Sequence, residues 1–344
     1  METSAAANPT IELLKTKSKQ AALLWLEGFR EACCLHRVVI LCHRSRPLLK
    51  RTGQCFLLNG FLFLGSIFTL KSVVIPTLQW ILPDGCSQLA PEEHCGFHDV
   101  KGFYSILRQV LIQLFYLFWF YPLYIFSFIL STLWYNDIAK YGYAAQGQTS
   151  TSTSTPQPMG KKEDSTSESA NQAAKPAGIG GIVIGIGEQV YSVFLLTFFF
   201  LQVYATGFVP YIGKALNFVL LAWMYSYYCF EYKWNLSEFS LDKRLAFFES
   251  NWAFFAGFGS PCVLAIFFFS PLVSYGVMAI LFPMFVLTAS GSEAEQVIDA
   301  QRKKWKGSEL GRLPIFYLAD IVSLRVLSLL SMKSQNLAAG IKLQ

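Results

Sequence analysis

The sequence predicts an all-α, polytopic membrane helical bundle, with about six hydrophobic spans or half-spans and interfacial amphipathic helices around them. Three observations lead there. Only 15% of the 344 residues are charged, where an ordinary soluble domain carries ~25%, and mean hydropathy is +0.39. The charges are bunched between long runs that contain almost none. Lysine and arginine sit beside those runs with a strong bias to one side.

Residues 11–46 are helical in period, mixing Leu13, Leu14, Leu24, Trp25, Leu26 and Phe29 with Lys15, Lys17, Lys19, Arg30 and Arg37. A basic amphipathic stretch beside a membrane is expected to lie in the headgroup region, and Pro47 to end it. The first apolar run begins near Cys55, too late for a cleaved secretory segment, and reads as an uncleaved anchor. The run reaches Leu70, or Leu82 if Lys71 lies near an interface, with Pro76 positioned to kink or end the helix. After a polar loop at 83–105, the second span, Val110 to Leu133, carries no charge and tolerates Pro122 as intramembrane helices can.

Composition then breaks. Residues 144–176 are Ser, Thr, Gln, Pro and Lys with almost nothing to bury, which predicts a disordered insert. A third span is expected at about Val190 to Tyr204, a tight turn around Pro210, and a fourth span from Leu216 to Phe230. Beyond the charged segment 231–249 come two short apolar runs, Trp252–Phe269 and Leu272–Leu287, which fit two spans or a re-entrant hairpin equally. Residues 313–330 contain Asp320 and Arg325, which favours an interfacial helix over a further span.

Counting lysine and arginine by side gives 24 against three, with Lys71 unassigned, and the positive-inside rule places both termini and the insert in the cytosol. No basic patch with aromatic interleaving stands apart from the membrane segments, so no nucleic-acid partner is expected. The expected partners are the lipid bilayer and other membrane proteins.

Candidate chemistry is sparse. The glycines from Gly178 to Gly187 lack the order of a dinucleotide-binding turn and read as small residues that ease helix approach. His94, Cys95 and His98 with Cys86 upstream offer zinc-type ligands, against a Cys86–Cys95 disulfide or plain loop residues. Cys33 and Cys34 beside an amphipathic helix fit either palmitoylation or simple burial. Only four histidines exist, all before the second span, so no nucleophile–base set can be assembled. No enzyme activity, cofactor or metal is expected.

The string Tyr228-Cys-Phe-Glu-Tyr-Lys-Trp234, followed by Arg244-Leu245, Glu249, Asn251-Trp252 and Gly257-Phe258-Gly259, closely resembles the signature of the etoposide-induced protein 2.4 homolog family. Trp134-Tyr135-x-Asp137-Ile138-Ala139 matches the same family. The resemblance covers about residues 28–330, within a membrane domain expected at 28–335 between tails at 1–27 and 336–344. It implies a multi-pass endoplasmic-reticulum membrane protein linked to autophagy, growth control and cell death (apoptosis), without catalytic activity. More distantly the family is similar to bacterial CysZ sulfate permeases, whose Gly-Leu-Arg anion-binding stretch resembles Gly28-Phe29-Arg30; this is the basis of the alternative reading, an anion transporter or channel. Glu231, Lys233, Trp234, Arg244, Glu249, Asn251 and Trp252 are the candidate structural or partner-docking residues. Acids and bases in so short a connection can pair across helix ends, with the tryptophans anchoring at headgroup level.

Overall fold

The computed structural model describes residues 9–81, 98–152, 179–237, 239–305 and 310–341. Among them every regular element is helical. In chain order these are α1 (Pro9–Ala32), α2 (His36–Arg44), α3 (Arg46–Ile81), α4 (His98–Phe115), α5 (Tyr121–Ser152), α6 (Ile179–Thr206), α7 (Gly213–Leu236), α8 (Leu241–Ser250), α9 (Trp252–Leu264), α10 (Pro271–Gly291), α11 (Ala294–Lys303) and α12 (Tyr317–Ile341).

Among the described residues three helical stretches are long and apolar enough to cross a membrane: α3, the run Ser105–Gly147 that joins α4 to α5 through the π turn Tyr116–Phe120, and α10. They contain the first, second and last of the expected spans. The third lies in α6, a helix of 28 residues, and the fifth in α9, which is shorter. At 1.5 Å per residue the 13 residues of α9 reach ~20 Å, short of a ~30 Å hydrocarbon core, whereas the 21 residues of α10 reach ~32 Å. The helices of the two apolar runs after residue 250 are therefore unequal in length.

The chain divides into two compact units. The first comprises residues 1–33, 146–263 and 292–344. In it α6 packs against α7 and α12, and α1 against α11. The turn from α6 to α7 is closed by the Asn217 side chain, whose Nδ2 donates to the Val203 carbonyl at 2.7 Å and so satisfies one of the acceptors a helix end leaves open. The second unit comprises residues 34–145 and 264–291 and gathers the three membrane-length stretches with α2. Its basic end is organised by a core of Val38, Leu41, Leu48, Cys55, Ile138, Ala145 and Leu287. A second core, of Phe63, Ile67, Leu70 and Phe120, lies further along the same helices.

Several local expectations change. The stretch 11–46 is two helices broken at 33–35, and Pro47 opens α3 instead of ending its predecessor. A proline in the first turn gives up an N–H that has no helical partner anyway, and the Ser45 side chain caps the helix by accepting from the Leu48 N–H. Helix α3 runs through Pro76 to Ile81, widened into π turns over Leu57–Leu64 and Leu70–Val74. The charged segment after Glu231 is largely helical, since α7 extends to Leu236 and α8 begins at Leu241. Helix α5 carries the chain to Ser152, and the remainder of the expected disordered insert lies outside the described residues. So do Cys86, His94 and Cys95.

Candidate functional site

The signature residues fall at one corner of the first unit, where α7 ends, α8 runs its ten residues and α9 begins. Glu249 occupies the last turn of α8, where a helix dipole disfavours a negative charge. It is nonetheless only 4% exposed. Its carboxylate is matched from the C-terminal segment: Arg312 Nη2 and Nε approach Oε2 at 2.6 and 2.8 Å, and the Phe316 N–H donates to Oε1 at 3.1 Å. The Glu249 carbonyl also accepts the Leu313 N–H at 3.1 Å.

The neighbours repeat the pattern. Asn251 Nδ2 donates to the Phe247 carbonyl at 2.8 Å, closing α8, while Oδ1 accepts from Arg302 Nη2 at 2.9 Å. Trp252 Nε1 donates to the Gly311 carbonyl at 3.3 Å, and the Trp252 carbonyl accepts from Trp223 Nε1 at 2.9 Å. Lys233 Nζ donates to the Ser292 carbonyl at 2.5 Å. Four residues of the signature thus fasten the segment 292–316 onto the α7–α8–α9 corner. Beneath them Tyr227, Phe230, Trp234, Phe248, Phe255 and Phe316 form a packed aromatic cluster with ring centroids 4.3–6.0 Å apart where they meet.

Glu231 and Arg244 behave differently. Arg244 donates from Nε to the Phe239 carbonyl at 2.5 Å, from Nη1 to Asn235 Oδ1 at 2.5 Å and from Nη2 to the Trp234 carbonyl at 3.5 Å, closing the α7–α8 turn. Glu231 lies one residue beyond the apolar stretch of α7. Burial pushes its carboxyl up to about 7, and the Arg244 charge only partly offsets that. Arg244 therefore acts on Glu231 as a neighbouring charge while its own donors serve α7 and the turn.

Gly28 has a packing role. A Cβ there would overlap the Phe254 carbonyl, one at Gly257 would overlap the Trp25 carbonyl, and one at Gly259 the Ala222 carbonyl. Helix α1 thus crosses α9 at Gly28 and Gly257, and α7 crosses α9 at Gly259, with backbones in contact as small residues permit. Phe29 stacks on Trp25 at 5.3 Å. The Arg30 side chain is 72% exposed and meets Glu27 at 3.4 Å. The Glu27 carboxylate also accepts from Gln301 Nε2 at 2.7 Å.

In the second unit, Tyr135 donates through its hydroxyl to the Ala279 carbonyl at 2.9 Å, and Asp137 pairs with Arg51 at 3.2 Å. Asn59, fully buried in the widened part of α3, donates to Ser131 Oγ at 2.9 Å and to the Cys55 carbonyl at 3.1 Å, and its Oδ1 accepts from Ser127 at 2.5 Å. A lone Asn in an apolar run is the sequence signal for this cluster, one that charged residues do not reveal. Arg302 and Arg312, which read in the sequence as orientation charges, are partners of Asn251 and Glu249. Among the described residues no group of three or more His, Cys, Asp or Glu is placed to hold a metal.

Membrane-length apolar helices, small-residue crossings and polar groups spent on internal fastening define a polytopic α-helical membrane protein. Residues 34–283 match the family described as Sulfate transporter CysZ/Etoposide-induced protein 2.4. The chain is similar to a protein of Arabidopsis thaliana named Protein EI24 homolog, 62% identical over 94% of this chain and 99% of that one. A Dictyostelium discoideum protein of the same name is 27% identical over 93% of this chain and 88% of its own. The Ectopic P granules protein 4 of Caenorhabditis elegans is 35% identical over 24% of this chain and 26% of its own. The chain belongs to the CysZ/etoposide-induced protein 2.4 family.

Proposed function

We propose that this chain is a multi-pass protein of the endoplasmic-reticulum membrane with a non-enzymatic role in autophagy and in growth or cell-death control, both termini facing the cytosol. Family membership supports the reading, as does near full-length identity to a protein named Protein EI24 homolog. The observation that carries the non-catalytic part is the use made of Lys233, Glu249, Asn251 and Trp252. Each bonds to the chain's own segment 292–316, the work of a scaffold that holds its shape for partners. The test is autophagic flux in cells lacking the gene. Flux should fall and be restored by the parent chain. Unchanged flux sinks the reading. Topology is checked at Asn235-Leu236-Ser237, a sequon on the proposed cytosolic side that should carry no glycan.

A second reading, an anion transporter or channel, is favoured by one feature. Asn59, Ser127 and Ser131 form a buried polar cluster among the membrane-length helices, and Asn59 sits on a π-widened stretch of the kind found at functional sites. Sulfate flux into proteoliposomes of the purified chain separates the two. A scaffold gives none, and a transporter gives flux that Asn59→Leu removes.

A further inference from the structure

The basic end of the second unit gathers cations in excess of acids. From His36 to Arg51, across α2 and the first turns of α3, the sequence holds Arg37, Arg44, Arg46, Lys50 and Arg51 and not one Asp or Glu. Packing brings the end of α5 to the same place: Ile138 and Ala145 share a core with Val38, Leu41 and Leu48, and Arg51 pairs with Asp137. Lys140 lies one turn beyond that pair and is exposed. Six cations thus face one acid at the end of a unit built on membrane-length helices. Arg44, Arg46 and Lys50 are exposed along with Lys140, and so are the apolar Val39, Ile40 and Leu49 between them.

We propose that this end of the second unit is a binding surface for the anionic phospholipid headgroups of the adjoining leaflet. Charge complementarity selects that occupant. A cluster of four to eight lysines and arginines beside a spanning helix draws anionic lipid, with each cation contributing about fivefold in affinity at ~1 kcal/mol. The exposed Val39, Ile40 and Leu49 sit among the cations, so the face offers apolar side chains to acyl boundary and charges to headgroups together, as an interfacial helix does. The apolar run of α3 begins near Cys55, so Lys50 stands ~8 Å and Arg46 ~14 Å of helix before it, on the side where headgroups would lie. Free phosphate would gain nothing from the apolar residues.

Native mass spectrometry of the full chain in detergent, with phosphatidylserine or phosphatidylcholine added in equal amounts, tests the proposal. The parent should retain phosphatidylserine at least tenfold more than phosphatidylcholine, and raised salt in a parallel fluorescent-lipid titration should weaken the preference. The charge reversal R46E/K50E/K140E should abolish it, and the milder R46Q/K50Q/K140Q should lower it severalfold, toward equal retention, while melting like the parent without lipid. Equal retention of the two lipids by the parent overturns the proposal. So does an unchanged preference in the glutamine variant, or displacement of phosphatidylserine by inorganic phosphate alone.

Discussion

The hydroxyl of Tyr135 donates to the carbonyl of Ala279 at 2.9 Å, and that carbonyl is the one Pro283 deprives of its helical donor. In a regular helix the N–H of residue 283 would bond to residue 279, and proline has none. The Cys55 thiol contacts the same oxygen at 3.6 Å. A proline inside α10 thus creates an acceptor that side chains of two other helices converge on.

Replacing Tyr135 with Phe should therefore cost about 1–3 kcal/mol, the penalty of leaving a buried acceptor short of its partner. In a Pro283→Ala background the backbone donor returns, and the same substitution should cost markedly less. Thermal melting of the detergent-solubilised parent, both single variants and the double variant checks this. Equal costs in the two backgrounds would show that the bond is incidental.

Glu249 should be the most sensitive acid of the α7–α8–α9 corner. Removing one partner of a buried ion pair costs ~3–5 kcal/mol, and the value here should fall to ~2–4 kcal/mol because the Arg312 side chain is 58% exposed. Glu249→Ala and Arg312→Ala should each lower the melting temperature, and the double variant should be less than additive. Two singles that melt like the parent would assign the C-terminal segment to some other anchor.

Glu231 should make stability fall as pH rises. Its folded carboxyl is raised from 4.5 to about 7, so the folded state holds the proton more tightly than the unfolded chain does. The stabilisation is complete below 4.5 and is lost as pH climbs through about 7. Melting temperature should accordingly drop between acid and mildly alkaline solution. Glu231→Gln should flatten that drop and melt above the parent on the alkaline side. A slope unaltered by the substitution would place the titrating group elsewhere.

Gly28→Ala should be more damaging than Arg30→Ala. The first drives a methyl group into the Phe254 carbonyl at a backbone crossing, and overpacking of that kind costs about 1–3 kcal/mol or more. The second trims a mostly exposed side chain that pairs with Glu27. Melting and detergent-solubilised yield of the two variants settle the order. An Arg30 variant that keeps its stability but loses anion flux would bring the transport reading forward.

The sequence by itself determined which segments are apolar, where the charges gather, and the family, because hydropathy and short motifs are local properties of the chain. The signature string, the Pro210 turn and the apolar runs at 110–133 and 272–287 could all be read that way. The partners could not. Glu249 and Arg312 are 63 residues apart, and Tyr135 and Ala279 are 144 apart. Such pairs depend on helix crossings whose register no local pattern encodes. For the same reason the charges crowded into the 231–249 connection do not name their own partners: Arg244 closes the α7–α8 turn, and the buried Glu249 carboxylate pairs with Arg312. The first residue of the Gly28-Phe29-Arg30 string, which resembles an anion-binding stretch, is likewise the point where α1 crosses α9, since only two backbones brought together show why a side chain cannot stand between them.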